Sequence, residues 1–318
     1  MDKKLQKEII NMRALFVLTP AESKRLIGKA VAELEEIKRA KENGRILIGH
    51  GSTNVFVAEE ILGKEKVSKL WQREAYLSGV IQRGTLCTLV GTEKPPILVL
   101  NRGIVEPPAD TMDAMLRDFG RDSIFIKGAN CVDPEGNAGV FMAHPEGGTI
   151  GWAIGTILAR GIRLIVPVGL EKLVPSVSKA VTLCGQQTFD YCQGLRVGLI
   201  PLSGAKVVTE ITALKILAGA DAFHVASGGC SGSEGAVTLV VEGENGVVEK
   251  AIHCIESVKG ESPIMTRKGS CTTCILRSPA QPKDYKYDDH VTEAERHLLR
   301  CRYQSKQEEE IPPYLRTR

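Results

Sequence analysis

Two glycine-rich stretches hold most of the side chains in this chain that have chemistry to offer. The first is Gly49-His50-Gly51-Ser52-Thr53, and the second runs from Lys127-Gly128-Ala129-Asn130 through Asp133 to His144-Pro145-Glu146-Gly147-Gly148. Glycine lets a backbone approach a ligand closely, and the hydroxyls of Ser52 and Thr53 with the amides of a helix start donate to a phosphate or a carboxylate. The same residues also fit a plain tight turn with Ser or Thr capping the helix. As a dinucleotide fingerprint the stretch fails, because Asn54 stands where the third glycine belongs. Lys127 offers a cation to an anionic ligand or snorkels outward from a strand end. His50 and His144 each flank a glycine loop, suited either to proton transfer or to structural hydrogen bonding. Glu146 fits a covalent carboxylate nucleophile or an acceptor at a helix N-terminus.

Two further groups stand apart. Cys271-Thr-Thr-Cys274 followed by His297 and Cys301 has the ligand alphabet of a structural zinc site, with His297 and Cys301 on one helical face at i, i+4. The nine cysteines are an odd count and otherwise scattered through apolar stretches, which argues for reduced thiols. Ser227-Gly-Gly-Cys-Ser-Gly-Ser-Glu-Gly235 reads as a hairpin loop or a lid over the glycine loops.

Positioning these residues needs an α/β frame. Thr19-Pro20-Ala21-Glu22 is a capping box that opens a helix over 20 to 42, closed by Asn43-Gly44. Strands are expected at 45–50, 80–90, 97–100, 123–127 and 162–168, alternating with helices at 54–62, 111–119 and 148–160 and a helical turn at 171–178. That rhythm describes a doubly wound, mostly parallel sheet. From 196 to 260 the order becomes βαββα, expected as a smaller ferredoxin-like α+β domain. The expected organisation is therefore an N-terminal helical segment (1–44), an α/β domain (45–195), a ferredoxin-like domain (196–260) and a cysteine-containing extension with a polar tail (261–318). A net charge of +3 over 318 residues gives no reason to expect nucleic acid. No apolar run is long enough to span a bilayer and the first residues lack a signal-peptide core, so a cytoplasmic protein is expected, with a small anionic metabolite as partner and a homo-oligomeric state.

The glycine loops resemble a known superfamily. Gly49 to Thr53 is similar to the first phosphate loop of ribose-5-phosphate isomerase A. Ile124 to Lys127 with Gly128-Ala129, Val132-Asp133-Pro134 and Asn137 resembles that enzyme's substrate loop, and Leu164 to Val174 resembles its later strand and Lys-Leu-Val segment. The resemblance covers roughly residues 45 to 180 and implies the superfamily that also holds glucosamine-6-phosphate deaminase and the class I CoA-transferases. It implies a ligand site at Gly49, His50, Gly51, Ser52, Thr53, Gly128, Asn130, Asp133, Gly147 and Gly148. The isomerase chemistry does not transfer. Lys127 and Asn130 stand where its acids flank Gly-Ala, its enediolate-stabilising lysine is absent before Gly147-Gly148, and residues 147 to 160 hold no acid to act as base. Glu146-x-Gly148-x-x-Gly151 also resembles the nucleophile segment of the CoA-transferases, although later in the chain than in those enzymes. The expectation is thus a protein that binds a phosphorylated sugar or similar anion, with Lys127, His144 and Glu146 as candidate catalytic groups. The alternatives are acyl transfer from CoA through Glu146, and a non-catalytic binding or scaffold protein.

Overall fold

A computed structural model describes residues 11–89, 94–265, 271–272, 274, 301–303 and 306–316. The first half runs β1 (Asn11–Leu18), α1 (Pro20–Glu33), α2 (Glu35–Asn43), β2 (Arg45–Ile48), α3 (Ser52–Leu62), α4 (Lys64–Leu70), the hairpin β3 (Gly79–Gln82) and β4 (Thr85–Thr88), β5 (Leu98–Asn101), β6 (Ile104–Val105) and α5 (Met112–Leu116). It continues through β7 (Ile124–Ile126), β8 (Cys131–Val132), β9 (Ala138–Met142), α6 (Gly148–Arg160), β10 (Arg163–Pro167) and α7 (Val177–Thr182). The last stretch is β11 (Gly198–Pro201), β12 (Lys206–Val208), α8 (Glu210–Ala218), β13 (Asp221–Gly228), β14 (Ala236–Glu244) and α9 (Asn245–Glu256).

The main sheet has six strands in the order β12-β10-β7-β2-β5-β6. The first four are parallel, and β5 and β6 extend the β2 edge antiparallel. Ile46 to Ile48 and Ile124 to Ile126 are buried along their whole length, as expected of central parallel strands covered on both faces. Thr19 makes the expected capping box with Glu22, but the single helix expected over 20 to 42 breaks at Leu34, whose backbone is extended. The break turns α2 so that Ile37 and Ala40 reach the core against β2 and β7.

The βαββα order expected over 196–260 is present along the chain but not within one sheet. β11 pairs with β9, β12 joins the main sheet beside β10, and only β13 and β14 share the small antiparallel sheet. Its third strand is β1, in the segment expected to be helical, and β1 pairs with β14 from Asn11↔Glu244 to Leu18↔Val237. The strand escapes a simple reading because both of its faces are apolar. Met12, Ala14, Phe16 and Leu18 face the core, while Leu15 and Val17 are 67% and 50% exposed, so period-two alternation is blurred. The first helix of the βαββα order begins only after Thr209, whose hydroxyl caps it, and the β-branched Val207-Val208 pair before it is strand. One continuous apolar core joins the two sheets.

Charge also ties the elements together. Arg25 on α1, 2% exposed, donates to Glu59 and Glu60 on α3 and, at 2.7 Å, to Glu261 just beyond α9. Arg73 bridges the same Glu59 and Glu261 at 2.7 and 2.9 Å, and both guanidinium groups lie over the Phe56 ring. Removing one partner from a buried array strands the other charges, whereas an exposed pair such as Arg13–Glu242 contributes little. Arg25→Met is expected to lower unfolding free energy by about 3 kcal/mol, and Arg13→Ala by less than about 1 kcal/mol, as measured by urea denaturation. Equal costs for the two would contradict the buried-network assignment.

Candidate functional site

Strands β2, β7 and β10 end in register, with Ile48 beside Ile126 and Ile126 beside Ile165. The loops that leave their carboxyl ends therefore converge, as they do in parallel α/β sheets generally. They surround a cavity of about 890 Å³, within the range of small-molecule sites.

Of the residues expected in the site, His50, Gly51, Ser52, Thr53, Lys127, Gly128, Asn130, His144, Gly147 and Gly148 line this cavity. Gly49, Asp133 and Glu146 do not. A Cβ on Gly49 would meet Lys127 Cδ at 3.3 Å, so this glycine makes room for the lysine stem. Asp133 accepts from Val177 N–H at 3.0 Å and from Asn137, locking the β8–β9 turn to α7. Burial pushes the Asp133 carboxyl up, but these donors outweigh it and hold the group below its ordinary value. Glu146 is exposed and accepts from Trp152 Nε1 at 3.2 Å. The 227–235 segment joins β13 to β14 and contributes nothing to the cavity wall.

Two helices present their N-termini to the cavity. The N-cap of α3 is Gly51 and that of α6 is Gly147, and neither helix has a side-chain cap. Ser52 and Thr53 are thus first-turn residues and not caps, which leaves the first-turn amides open to a ligand. At α6 the turn is imposed by glycine: Gly147 and Gly148 have φ of 85° and 59°, and a Cβ on Gly147 would meet Gly151 Cα at 2.8 Å.

Three lysines complete the electrostatics. Lys127 follows β7 directly, and its Nζ donates to Gly128 O at 3.3 Å. Lys172, on the 3-10 turn after β10, donates to Ala129 O at 3.0 Å. That turn is held by the buried Glu210, which accepts from Leu170 N–H at 2.9 Å. Lys94 donates to Thr88 Oγ1 at 3.0 Å. Against these cations the wall offers one carboxylate among the described residues, Asp110. Burial pulls the Lys127 ammonium down to about 8, and the Lys172 cation adds repulsion.

The two histidines differ. His50 Nε2–H donates to Pro95 O at 2.7 Å, and the ring lies 4.7 Å from that of Tyr76. Burial drives its pKa to about 4, so it is neutral over the physiological range. Tyr76 in turn donates to Ile48 O and accepts from Leu98 N–H at 2.8 Å, pinning the end of β2. His144 Nδ1 accepts from Glu146 N–H at 3.2 Å, which puts the proton of the neutral ring on Nε2, and Trp152 packs edge-on at 4.9 Å.

Of the expected zinc ligands, His297 lies outside the described residues. Cys271 and Cys301 pack with Tyr303, Ile311 and Leu315. Burial raises the Cys301 thiol to about 11, and Cys87, Cys271 and Cys274 are ionisable neighbours that add to the rise. Among the described residues no three His, Cys, Asp or Glu side chains form a metal-holding group.

Lys94, Lys172, Asp110 and Trp152 are wall residues that the glycine-loop signal does not reveal. Lys172 was accessible to one rule, that every parallel strand's carboxyl end contributes to the site. No known protein family, curated protein or solved structure matches the chain. Among the described residues no helix is long and apolar enough to cross a membrane.

Below its folded pKa Lys127 holds its charge in the cavity wall, a cost the unfolded chain does not bear. The unfolded state therefore binds more protons between about 8 and 10.5, and stability rises with pH across that window. Lys127→Met is expected to raise stability at pH 7, with the gain shrinking as pH passes from 8 to 10.5. Urea denaturation at several pH values tests this, and a gain that stays constant with pH would count against it.

Proposed function

We propose that the chain binds a small phosphorylated or otherwise anionic metabolite in the cavity at the carboxyl ends of β2, β7 and β10. One observation carries the reading: two helix N-termini without side-chain caps and three lysines converge on one cavity that holds a single carboxylate among its described lining residues. Open amides and an excess of cationic over acidic side chains among the described lining residues favour an anion by direct hydrogen bonding and by field. The wider apolar lining from Met112, Met115, Val140 and Ile150 suits a carbon skeleton beside the anionic group. The strand-loop-helix order of the glycine loops supports kinship with the isomerase and CoA-transferase superfamily, and a phosphorylated sugar is the ligand that kinship favours. Isomerisation by that superfamily's acids and lysine is not part of the proposal, since those residues are replaced. Acyl transfer through Glu146 is the weaker alternative, because that side chain is exposed, does not line the cavity and is engaged by Trp152 Nε1.

Thermal unfolding of the purified protein with ribose 5-phosphate, ribose, inorganic phosphate and acetyl-CoA tests the reading. The phosphorylated sugar and phosphate are expected to raise the melting temperature and ribose to leave it unchanged. Lys172→Met should weaken ribose 5-phosphate binding about tenfold, the loss of one charge-assisted contact, while Glu146→Gln has no effect. A shift with acetyl-CoA alone, or with none of the anions, would overturn the proposal.

A further inference from the structure

We infer that Lys127 is an amine nucleophile that condenses with the carbonyl of a ligand in this cavity, an aldehyde or ketone that also carries a phosphate or carboxylate. The inference rests on the anion-binding reading and adds a covalent step to it. Three placements support the assignment. Lys127 leaves β7 into the cavity, its stem lying against the backbone of Gly49, where a Cβ would come within 3.3 Å of Cδ. Its Nζ meets a backbone carbonyl, Gly128 O at 3.3 Å, and among the described residues no carboxylate pairs with it. A lysine kept only for structure or for charge is ordinarily matched by an acid, and this one has a second cation as its neighbour instead.

That neighbour is Lys172, anchored on Ala129 O at 3.0 Å. The two lysines divide the work of the site. Lys172, Lys94 and the first-turn amides of α3 and α6 hold the anionic group, which leaves Lys127 for the carbonyl end. A cation beside a desolvated amine is an established way to keep lysine nucleophilic. With its pKa lowered to about 8, roughly a tenth of Lys127 is neutral at pH 7. The other nucleophile candidates are less suited. His50 is fixed to Pro95 O through Nε2–H, and Cys87, which also lines the wall, lies within sulfur hydrogen-bond reach of Thr88 O at 3.6 Å.

The step balances without an oxidant or a reductant. The Nζ lone pair attacks the carbonyl carbon, a C–N bond forms, and the carbonyl oxygen takes up a proton to give the carbinolamine. Loss of the second amine hydrogen and of the hydroxyl as water then gives the imine, so one amine and one carbonyl yield one imine and one water.

Pyridoxal 5′-phosphate, an aldehyde that carries a phosphate, serves as the probe. The full chain is incubated with it at low ratio with and without pyrophosphate, reduced with borohydride, digested and mapped by mass spectrometry. The expected result is a pyridoxyl label on Lys127 that pyrophosphate lowers about tenfold. Lys127→Arg is expected to abolish that label. Mapping on the unmodified protein decides the matter even if the variant folds poorly. A protected label on Lys94 or Lys172, or labels spread over surface lysines, overturns the inference. If phosphate stabilises the protein but no protected label reaches Lys127, the covalent step falls and the anion site stands. If phosphate neither stabilises nor protects, both fall together.

Discussion

The Arg25 guanidinium is the interaction on which the arrangement of this protein turns. Buried among Glu59, Glu60 and Glu261, with Arg73 closing the array and both cations over the Phe56 ring, it fixes α1 against α3 and both against the end of α9. A charge in the interior is tolerated only when its partners hold fixed positions, so the array permits one placement of α3. Since α3 carries its N-terminus into the cavity, a contact two turns further along the helix sets the direction of the amides at Ser52 and Thr53. Structure and site are joined through that one helix.

The site shows the complementary principle. At its mouth the helices are left without side-chain caps and Lys127 without a carboxylate partner among the described residues, arrangements that are unfavourable in an isolated protein. Gly147 and Gly148 take up left-handed backbone angles, and Lys127 keeps an ammonium where solvation is poor. Under the proposed anion-binding reading, a ligand would supply the interactions that the protein leaves open here.

Much of this was legible in the residues. The helix expected over Gly148 to Arg160 is the observed α6, because Gly147-Gly148 and Gly161 bound an uncharged run with no competing signal. The glycine loops, Lys127 and His144 fall on one cavity wall because parallel strands bring their carboxyl ends together. What could not be read was partnership across long distances. β1 has apolar residues on both faces, so its period does not declare a strand, and its pairing with β14 is invisible to any local window. Asp133 and Glu146 carry the right chemistry in the right loops but are spent on Val177 and Trp152, contacts that depend on how α7 and α6 pack. Lys94 has no motif around it, and Lys172, although it stands in the Lys-Leu-Val segment, is not singled out there; both enter the site through the geometry of the turns that bear them.

The β1–β14 ladder has a consequence for how the molecule is made. Among the described strands β1 pairs only with β14, which is synthesised more than 200 residues later, at Ala236–Glu244. During that interval an apolar strand with two open edges would be exposed, the feature that most readily recruits other chains. On a ribosome the small sheet therefore closes late, after the strands of the main sheet have been synthesised. The exposed Leu15 and Val17 in the finished protein lie on the face that passes through this vulnerable stage.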